Sequence, residues 1–462
     1  MTIMPNETGI DNSIFICCKK FIKRFQINQL LRQSNATKEK GVKTYDVFAF
    51  LLGLVFTGKN LYTLIDNNPD KIPFGKDVIY RFLRKACVNW VMFLFRLSCR
   101  VIKEVDKLTS EGRKSVLIID DSSYVRNRSK KVELLSRCRD HATGKYYKGL
   151  TLITIGWSDG QTFIPVSFRL LGSGNDANLL EGAQANEDNR TLATKRRVDA
   201  RTDKPAMALS MLEAIKGSEA QAKHVVFDSW YASPSFILSV KQKGYDVVAR
   251  LKNHKNHQYI YNGETLPVSA IHDMNKKRRG KSKYLLSVTV EVRHNGFPGT
   301  VPAKIVFVRD RSNIKNWIAL LSTDTALTEE EIICLYGKRW DIEPFHKIIK
   351  SCLRLEKEFQ LRSYEAMTAH ATIVMTRYVL LSLENRENKD FRSINDGFHA
   401  LCQELDDISF SFAFDLIISV FIQCLNDYFH LAKHQISEFV DRFITCLPSN
   451  IKDKLIISLC ES

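Results

Sequence analysis

Between Ser115 and Lys252 the chain sets short apolar runs between polar breaks, and two of those runs end in carboxylates. SVLIIDD (115–121) closes on Asp120 and Asp121, and LTLITIG (150–156) and FIPVSFRLL (163–171) follow as two strands of a hairpin around Asp159-Gly160. HVVFD (224–228) closes on Asp228, and YDVVARLK (245–252) makes a fifth strand. Helical patterns cover Pro205–Lys216 and Pro234–Lys243, so the segment predicts an α/β fold. From about 253 to 316 the helical signal vanishes. There Leu286, Val288, Val290 and Val292 alternate with Ser287, Thr289, Glu291 and Arg293, which predicts a strand-built insertion. NWIALLSTD (316–324) returns toward the core.

A capping box at Thr328–Glu331 then opens a helix bearing LYGKRWDIEPFHKIIKSCL. Tyr336, Arg339, Glu343, Lys347 and Lys350 are spaced three, four, four and three apart, which puts them on one face at about 100° per residue. Leu335, Ile342, Phe345, Ile349, Cys352 and Leu353 fall on a separate arc suited to a core. A lone carboxylate among cations and a phenol can hold a divalent metal while its neighbours hold phosphates. The same spacing also suits a solvated face with Glu-to-Lys pairs. Asp120 or Asp121, Asp228 and Glu343 stand on three separate elements. Brought together, they would form an oxygen-ligand site for two divalent cations about 3.5–4 Å apart, and magnesium suits such ligands.

The charge balance favours a polyanionic partner, nucleic acid first: 68 Lys and Arg against 51 Asp and Glu give +17 over 462 residues. The cations cluster at Lys19–Arg24, Arg126–Lys131, Lys195–Arg197 and Lys276–Lys283. Eleven cysteines, an odd number with no CxxC, argue against a disulfide framework or a zinc site and for a reducing cytosol. No run reaches the roughly 18 apolar residues of a membrane span, and the first 25 residues do not read as a signal peptide, so no membrane association is expected. Residues 1–105 read as helical. A polar turn at Asn67–Pro73 followed by GKDVIYRFLRK looks like a helix-turn-helix, offering Lys76, Tyr80, Arg81, Arg84 and Lys85 to a DNA groove.

Tyr336, Arg339, Glu343 and Lys350 match, at every spacing, the YxxRxxxExxxxxxK signature of a group of DDE transposases of bacterial insertion sequences. The chain resembles that family over about 115–370, including IIDDSS, VVFDSWY, ARLK, NWIALLST and RWDIEPFHK. The resemblance implies a ribonuclease-H-like catalytic core (106–252 and 317–370), a β-rich insertion (253–316) and helical flanks: a DNA-binding domain (1–105) and a C-terminal region (371–462). It also implies a metal triad of Asp120 or Asp121, Asp228 and Glu343 holding Mg²⁺, with Mn²⁺ able to substitute. Family members show Asp, any residue, then Ser or Thr, and Asp120-Asp121-Ser122-Ser123 fits in two registers; Asp120 gives Asp-Asp-Ser at the strand's end. Beside the second acid the family often has Gly or Arg, where this chain has Ser229 before Trp230 and Tyr231.

On the same resemblance, Tyr336, Arg339, Lys347 and Lys350 grip phosphates, and Arg250 and Lys252 approach the end DNA. Trp317 occupies the place of an aromatic that stacks on a flipped base in hairpin-forming relatives. The expected activity is cleavage at terminal inverted repeats and transfer into target DNA through a hairpin, by a homodimer joined through its C-terminal helices in the bacterial cytoplasm and nucleoid. A DNA-binding regulator without strand transfer, and a ribonuclease-H-like nuclease or resolvase, are the alternatives.

Overall fold

The computed structural model describes residues 13–58, 61, 74–109, 112–140, 144–184, 190–275, 284–309, 316–387, 421–422 and 433–446. The chain divides into two compact units, one of residues 1–26, 38–79 and 391–462, the other of 27–37 and 80–390. In the first unit α1 (Ser13–Arg24) packs on α3 (Thr44–Leu54), whose residues Asp46 to Leu54 are all buried. The second begins with α2 (Ile27–Gln33), and α4 (Lys76–Leu83) straddles the division. The turn of the expected helix-turn-helix lies outside the described residues, as do the basic run 276–283 and most of the expected C-terminal region. Two residues of its second helix pattern already have protein partners: Tyr80 meets Phe359 edge-on at 6.3 Å, and Lys85 donates to the Thr37 carbonyl.

The boundary expected at residue 105 is not where the packing divides. Helix α5 (Trp90–Asp106) lies against the second unit's sheet, with Ser98 Oγ donating to the Pro165 carbonyl at 2.7 Å. Its buried face of Trp90, Phe93, Leu94, Leu97 and Val101 follows the helical period, so burial and not chain position assigns it.

One mixed sheet organises the second unit. Strand β1 (Val116–Val125) pairs antiparallel with β3 (Tyr146–Ser158), and β3 pairs with both β2 (Ser136–Arg139) and β4 (Phe163–Leu171). On its other side β1 runs parallel to β5 (His224–Phe227), which runs parallel to β6 (Asp246–Arg250). The order β4-β3-β1-β5-β6 is the one a ribonuclease-H-like core requires. Val116 to Ile119 are fully buried, as a parallel-paired strand covered on both faces demands, each contributing roughly 1.5–3 kcal/mol of burial. The β3–β4 turn is fixed by Asp159, whose carboxylate accepts the Gln161 and Thr162 N–H groups at 2.9 and 2.8 Å, with Gly160 at φ +89°.

Helices α6 (Leu192–Asp199), α7 (Lys204–Ile215) and α8 (Pro234–Gln242) connect the strands. The cluster at 195–197 is partly interior: Arg196 donates to the Val88 carbonyl, and Arg197 binds Glu133 and Glu365. Strands β7 (Gln258–Tyr261), β8 (Glu264–Pro267), β9 (Leu286–Val292) and β10 (Val301–Arg309) form the insertion, and β11 (Trp317–Ser322) closes it by pairing with both β10 and β6. The insertion is not strands alone. Helix α9 (Val268–Met274) buries Val268 and Ile271, a stretch too short to register as a helical period.

The signature segment is not one helix. Helix α10 (Glu329–Gly337) gives way to a 3-10 turn at Lys338–Asp341 before α11 (Ile342–Lys350). Pro344 explains the break: it has no N–H, and in a continuous helix its ring would clash with the carbonyl four residues earlier, at Trp340. Helix α12 (Tyr364–Glu387) is long and apolar enough to span a membrane by composition, yet every residue from Tyr364 to Leu383 is buried in the protein. Arg377 on it is paired with Glu358, so this is an interior helix, apolar all round because it is surrounded.

Candidate active site

The parallel register sets Ile119 beside Phe227, and Asp120 and Asp228 are the next residue on each chain. Two carboxylates thus arise at the same level of adjacent strands, where burial and mutual repulsion both oppose ionisation. Burial is the larger cause at Asp120; with the Asp121 and Asp228 charges it pushes this carboxyl up to about 7, against the Asp121 N–H and Arg339, which favour the anion. Asp228 is raised too, by burial first; its Oδ1 accepts the Trp230 N–H at 3.0 Å, and the Asp121 charge adds to the rise.

The adjacent acids of β1 are held differently. Asp121 accepts Lys204 Nζ at 3.0 Å and the Tyr231 hydroxyl at 3.1 Å. Asp120 accepts only the backbone N–H of Asp121, at 2.9 Å, and is paired with no ammonium or guanidinium among the described residues. Lys204 also lies 4.0 Å from the centroid of the Trp230 ring, which stands over Tyr231 at 76°. The sequence does not single out Lys204, Trp230 or Tyr231 as site residues. Tyr231 and Trp230 stand in plain view behind Asp228, but nothing local ties Lys204 to an acid 83 residues away.

The 3-10 turn carries Arg339 onto β1 and β5. Its Nη2 donates to Glu343 Oε1 at 3.0 Å, and its charge acts on both Asp120 and Asp228, so it links the third acid to the first two. Burial opposes its charge, but Tyr336, Glu343 and Asp120 outweigh that. The buried Nε of Arg339 has no hydrogen-bond partner, an orphan donor beside the acids. Tyr336 is buried, which raises its phenol, while Arg339 and Arg250 favour the anion. Arg250 ends β6, level with Asp228, and is exposed. Lys350 reaches back to Ser123 Oγ on β1 at 3.0 Å.

The fold therefore sets Asp120, Asp121 and Asp228 together with Arg339, Tyr336 and Arg250 around them and Lys350 further along β1; Glu343 is tied to this group through Arg339 and, among the described residues, does not join Asp120 and Asp228 in a three-ligand cluster. Lys252 and Lys347 face solvent. Trp317 begins β11 and packs against the insertion, its ring stacked on His272 at 4.6 Å and 21° and edge-on to Phe307 at 5.1 Å.

A second cluster sits at the other end of β5. His224, Asp246 and Asp324 bring ligand atoms within 4.8 Å of one another. Its carboxylates already have partners: Asp324 takes Lys223 at 2.6 Å and the His224 ring at 2.9 Å, and Asp246 takes Lys241. Asp324 is accordingly lowered to about 2, with burial opposing and Lys223 the largest favourable cause.

The donor set around Asp120 and Asp228 suits a divalent cation. It consists of hard carboxylate oxygens, two of them raised by burial and mutual repulsion, and a 2+ ion would reverse that repulsion. Comparison with curated proteins gives no match. Residues 50–306 match the profile of the DDE superfamily endonucleases, a span holding Asp120, Asp121 and Asp228 and ending before Glu343. More than half of the chain is covered, and on that match, together with the mixed sheet and its paired strand-end acids, the chain belongs to the DDE superfamily endonucleases.

Proposed function

We propose that the protein is a transposase that cuts DNA at the terminal inverted repeats of a mobile element and joins the exposed 3′ hydroxyl to target DNA. The observation supporting this reading is the pairing of Asp120 and Asp228 at the ends of adjacent parallel strands, with Arg339 acting on both and hydrogen-bonded to Glu343. Asp120, Asp228 and Glu343 would hold Mg²⁺, or Mn²⁺ in its place, and the bound metal supplies charge stabilisation for the attacking and leaving oxygens of the phosphodiester. Asp120 is assigned over Asp121 because Lys204 and Tyr231 already occupy the latter.

The remaining groups bind and orient DNA. The orphan Nε of Arg339 and the Nη2 that Glu343 now accepts can fork onto a phosphate once Glu343 turns to a metal. Lys350 and Arg250 extend positive charge to either side, and Tyr336 offers its hydroxyl. Burial keeps that phenol protonated, hence a donor. Lys347 and Lys252 add exposed charge farther out. For a hairpin step, Trp317 would receive a flipped base by leaving His272, an exchange of one stack for another. Two protomers would synapse the paired ends.

The test compares two neighbours. Asp120→Asn should abolish Mg²⁺-dependent end cleavage on duplexes carrying the element's own repeats. Asp121→Asn should retain measurable cutting, reduced because the Lys204 and Tyr231 hydrogen bonds are weakened. Normal cutting by the Asp120 variant would remove the assignment. Cutting that never proceeds to joining, when 3′-hydroxyl ends and a plasmid target are supplied, would favour a nuclease.

A further inference from the structure

Beyond β1 the chain turns through Arg126–Lys131, and opposite it runs Glu356–Arg362. Between these segments lies an open groove of about 880 Å³. Its walls carry Arg128, Lys130, Lys131, Lys357 and Arg362, all exposed and, among the described residues, without a carboxylate partner. The one carboxylate in the lining, Glu356, is turned to the protein, where its Oε1 accepts the Val125 N–H at 2.9 Å. Arg126 is likewise structural: buried, donating to the Glu356 carbonyl at 2.8 Å and lying over the Tyr124 ring at 4.1 Å. These interactions fix the two walls and leave the five outer cations facing the groove.

Unpaired cations gathered this way repel one another unless a polyanion lies among them. A smaller basic pocket of about 290 Å³, lined by Arg137, Arg139, Arg201 and Lys204, differs in this respect: Arg201 is bound to Asp176 and Lys204 to Asp121.

Position supplies the occupant. Arg126 follows Asp120 by six residues along β1, about 20 Å at roughly 3.3 Å per residue, and Lys350 on Ser123 stands between them. At about 3.4 Å per base pair, that is roughly six base pairs of duplex. We propose that this groove holds the phosphate backbone of double-stranded DNA about six base pairs from the phosphodiester being cut. The inference rests on the proposed function for its register, but not for its charge. It assigns Arg128, Lys130 and Lys131 on one wall, and Lys357 and Arg362 on the other, to phosphates and not to bases, so the groove adds affinity without sequence preference.

The experiment measures binding without catalysis, titrating the full chain in Ca²⁺ with repeat-bearing duplexes over a range of salt. The variant Arg128→Ala/Lys130→Ala/Lys131→Ala should lower the slope of log affinity against log salt by about 2–3, near 0.9 for each phosphate no longer neutralised. Lys357→Ala/Arg362→Ala on the facing wall should lower it by about 1–2. All five residues are exposed, and an unchanged melting temperature confirms that folding is intact. Shortening one arm of the duplex to under about six base pairs from the cut should weaken the parent more than the triple variant, which keeps only the facing wall. A parental salt slope in both variants overturns the groove, as does an equal response of parent and variant to arm length. If the parent binds with the expected slope yet never cuts in Mg²⁺, the groove stands and the transposase reading fails. Cutting by a parent whose variants keep its slope gives the reverse.

Discussion

Strand β5 has an acidic cluster at each end, and the two are built on opposite principles. At its start, Asp324 and Asp246 are matched to Lys223, Lys241 and His224, and Asp324 sits at about 2. Past its end, Asp120 and Asp228 face each other with Arg339 as the cation they share, and Asp120 rises to about 7. Ligand-like residue types within reach of one another do not distinguish a metal site from a structural pin; the cluster at the start of β5 meets that geometric description better. What distinguishes them is whether the charges are already neutralised. A divalent ion at the start of β5 would have to enter beside two ammonium groups, whereas past its end it relieves repulsion.

The largest expected effect breaks the comparison at its active end. Asp228→Asn should reduce Mg²⁺-dependent cleavage at least about a thousandfold, because it removes a hard ligand where several kcal/mol of charge stabilisation arises. Its melting temperature should hold or rise, since the raised Asp228 carboxyl is a cost to the folded state. Cleavage assays and thermal unfolding of one preparation check both halves. A large drop in melting temperature would mean that the two clusters are pins alike.

A middle-sized effect sharpens the comparison. Arg339→Met removes the cation that Asp120 and Asp228 share, so the Mg²⁺ concentration giving half-maximal cutting should fall or stay level. The maximal rate should drop about 10–100-fold, because the charge-assisted grip on phosphate is gone. A rise in the Mg²⁺ requirement would show Arg339 serving the metal site and not the DNA.

The smallest effect lies at the pinned end. Asp324→Asn should cost about 1–3 kcal/mol of stability at neutral pH, with cutting unaffected at permissive temperature. The Asp324 carboxyl is lower in the folded state than its usual 3.8, so its stabilisation is present above about 4 and disappears as pH falls toward 2. Denaturant midpoints of parent and variant should therefore converge over that interval. A constant gap down to pH 2 would locate the stabilisation elsewhere.

Five strands and the two strand-end acids are legible in the chain because a strand covered on both faces must be apolar throughout, so its ends stand out; the order of those strands in the sheet is not. The helix signature is legible as spacing and misleading as geometry. A uniform projection runs through Pro344, which in fact splits the segment and lets a short turn deliver Arg339 to the sheet. Arg196 and Arg197 read as part of a basic cluster because Glu133 and Glu365 lie 64 and 168 residues from Arg197. For the same reason, no pattern in the chain tells Asp120 from Asp121: the choice depends on Lys204 and Tyr231, which only the fold brings near.

The insertion is mechanically continuous with the core. Because β11 is hydrogen-bonded to β6 on one side and β10 on the other, the added strands extend the catalytic sheet instead of hanging from it on a tether. The chain passes from β11 through the capping box into the segment that bears Arg339 and Glu343. A load on the insertion would thus pass through β11 and the hydrogen-bonded connection 323–328 toward Arg339 and Glu343. In such an arrangement a strain on the added strands would register as a shift in the position of Glu343.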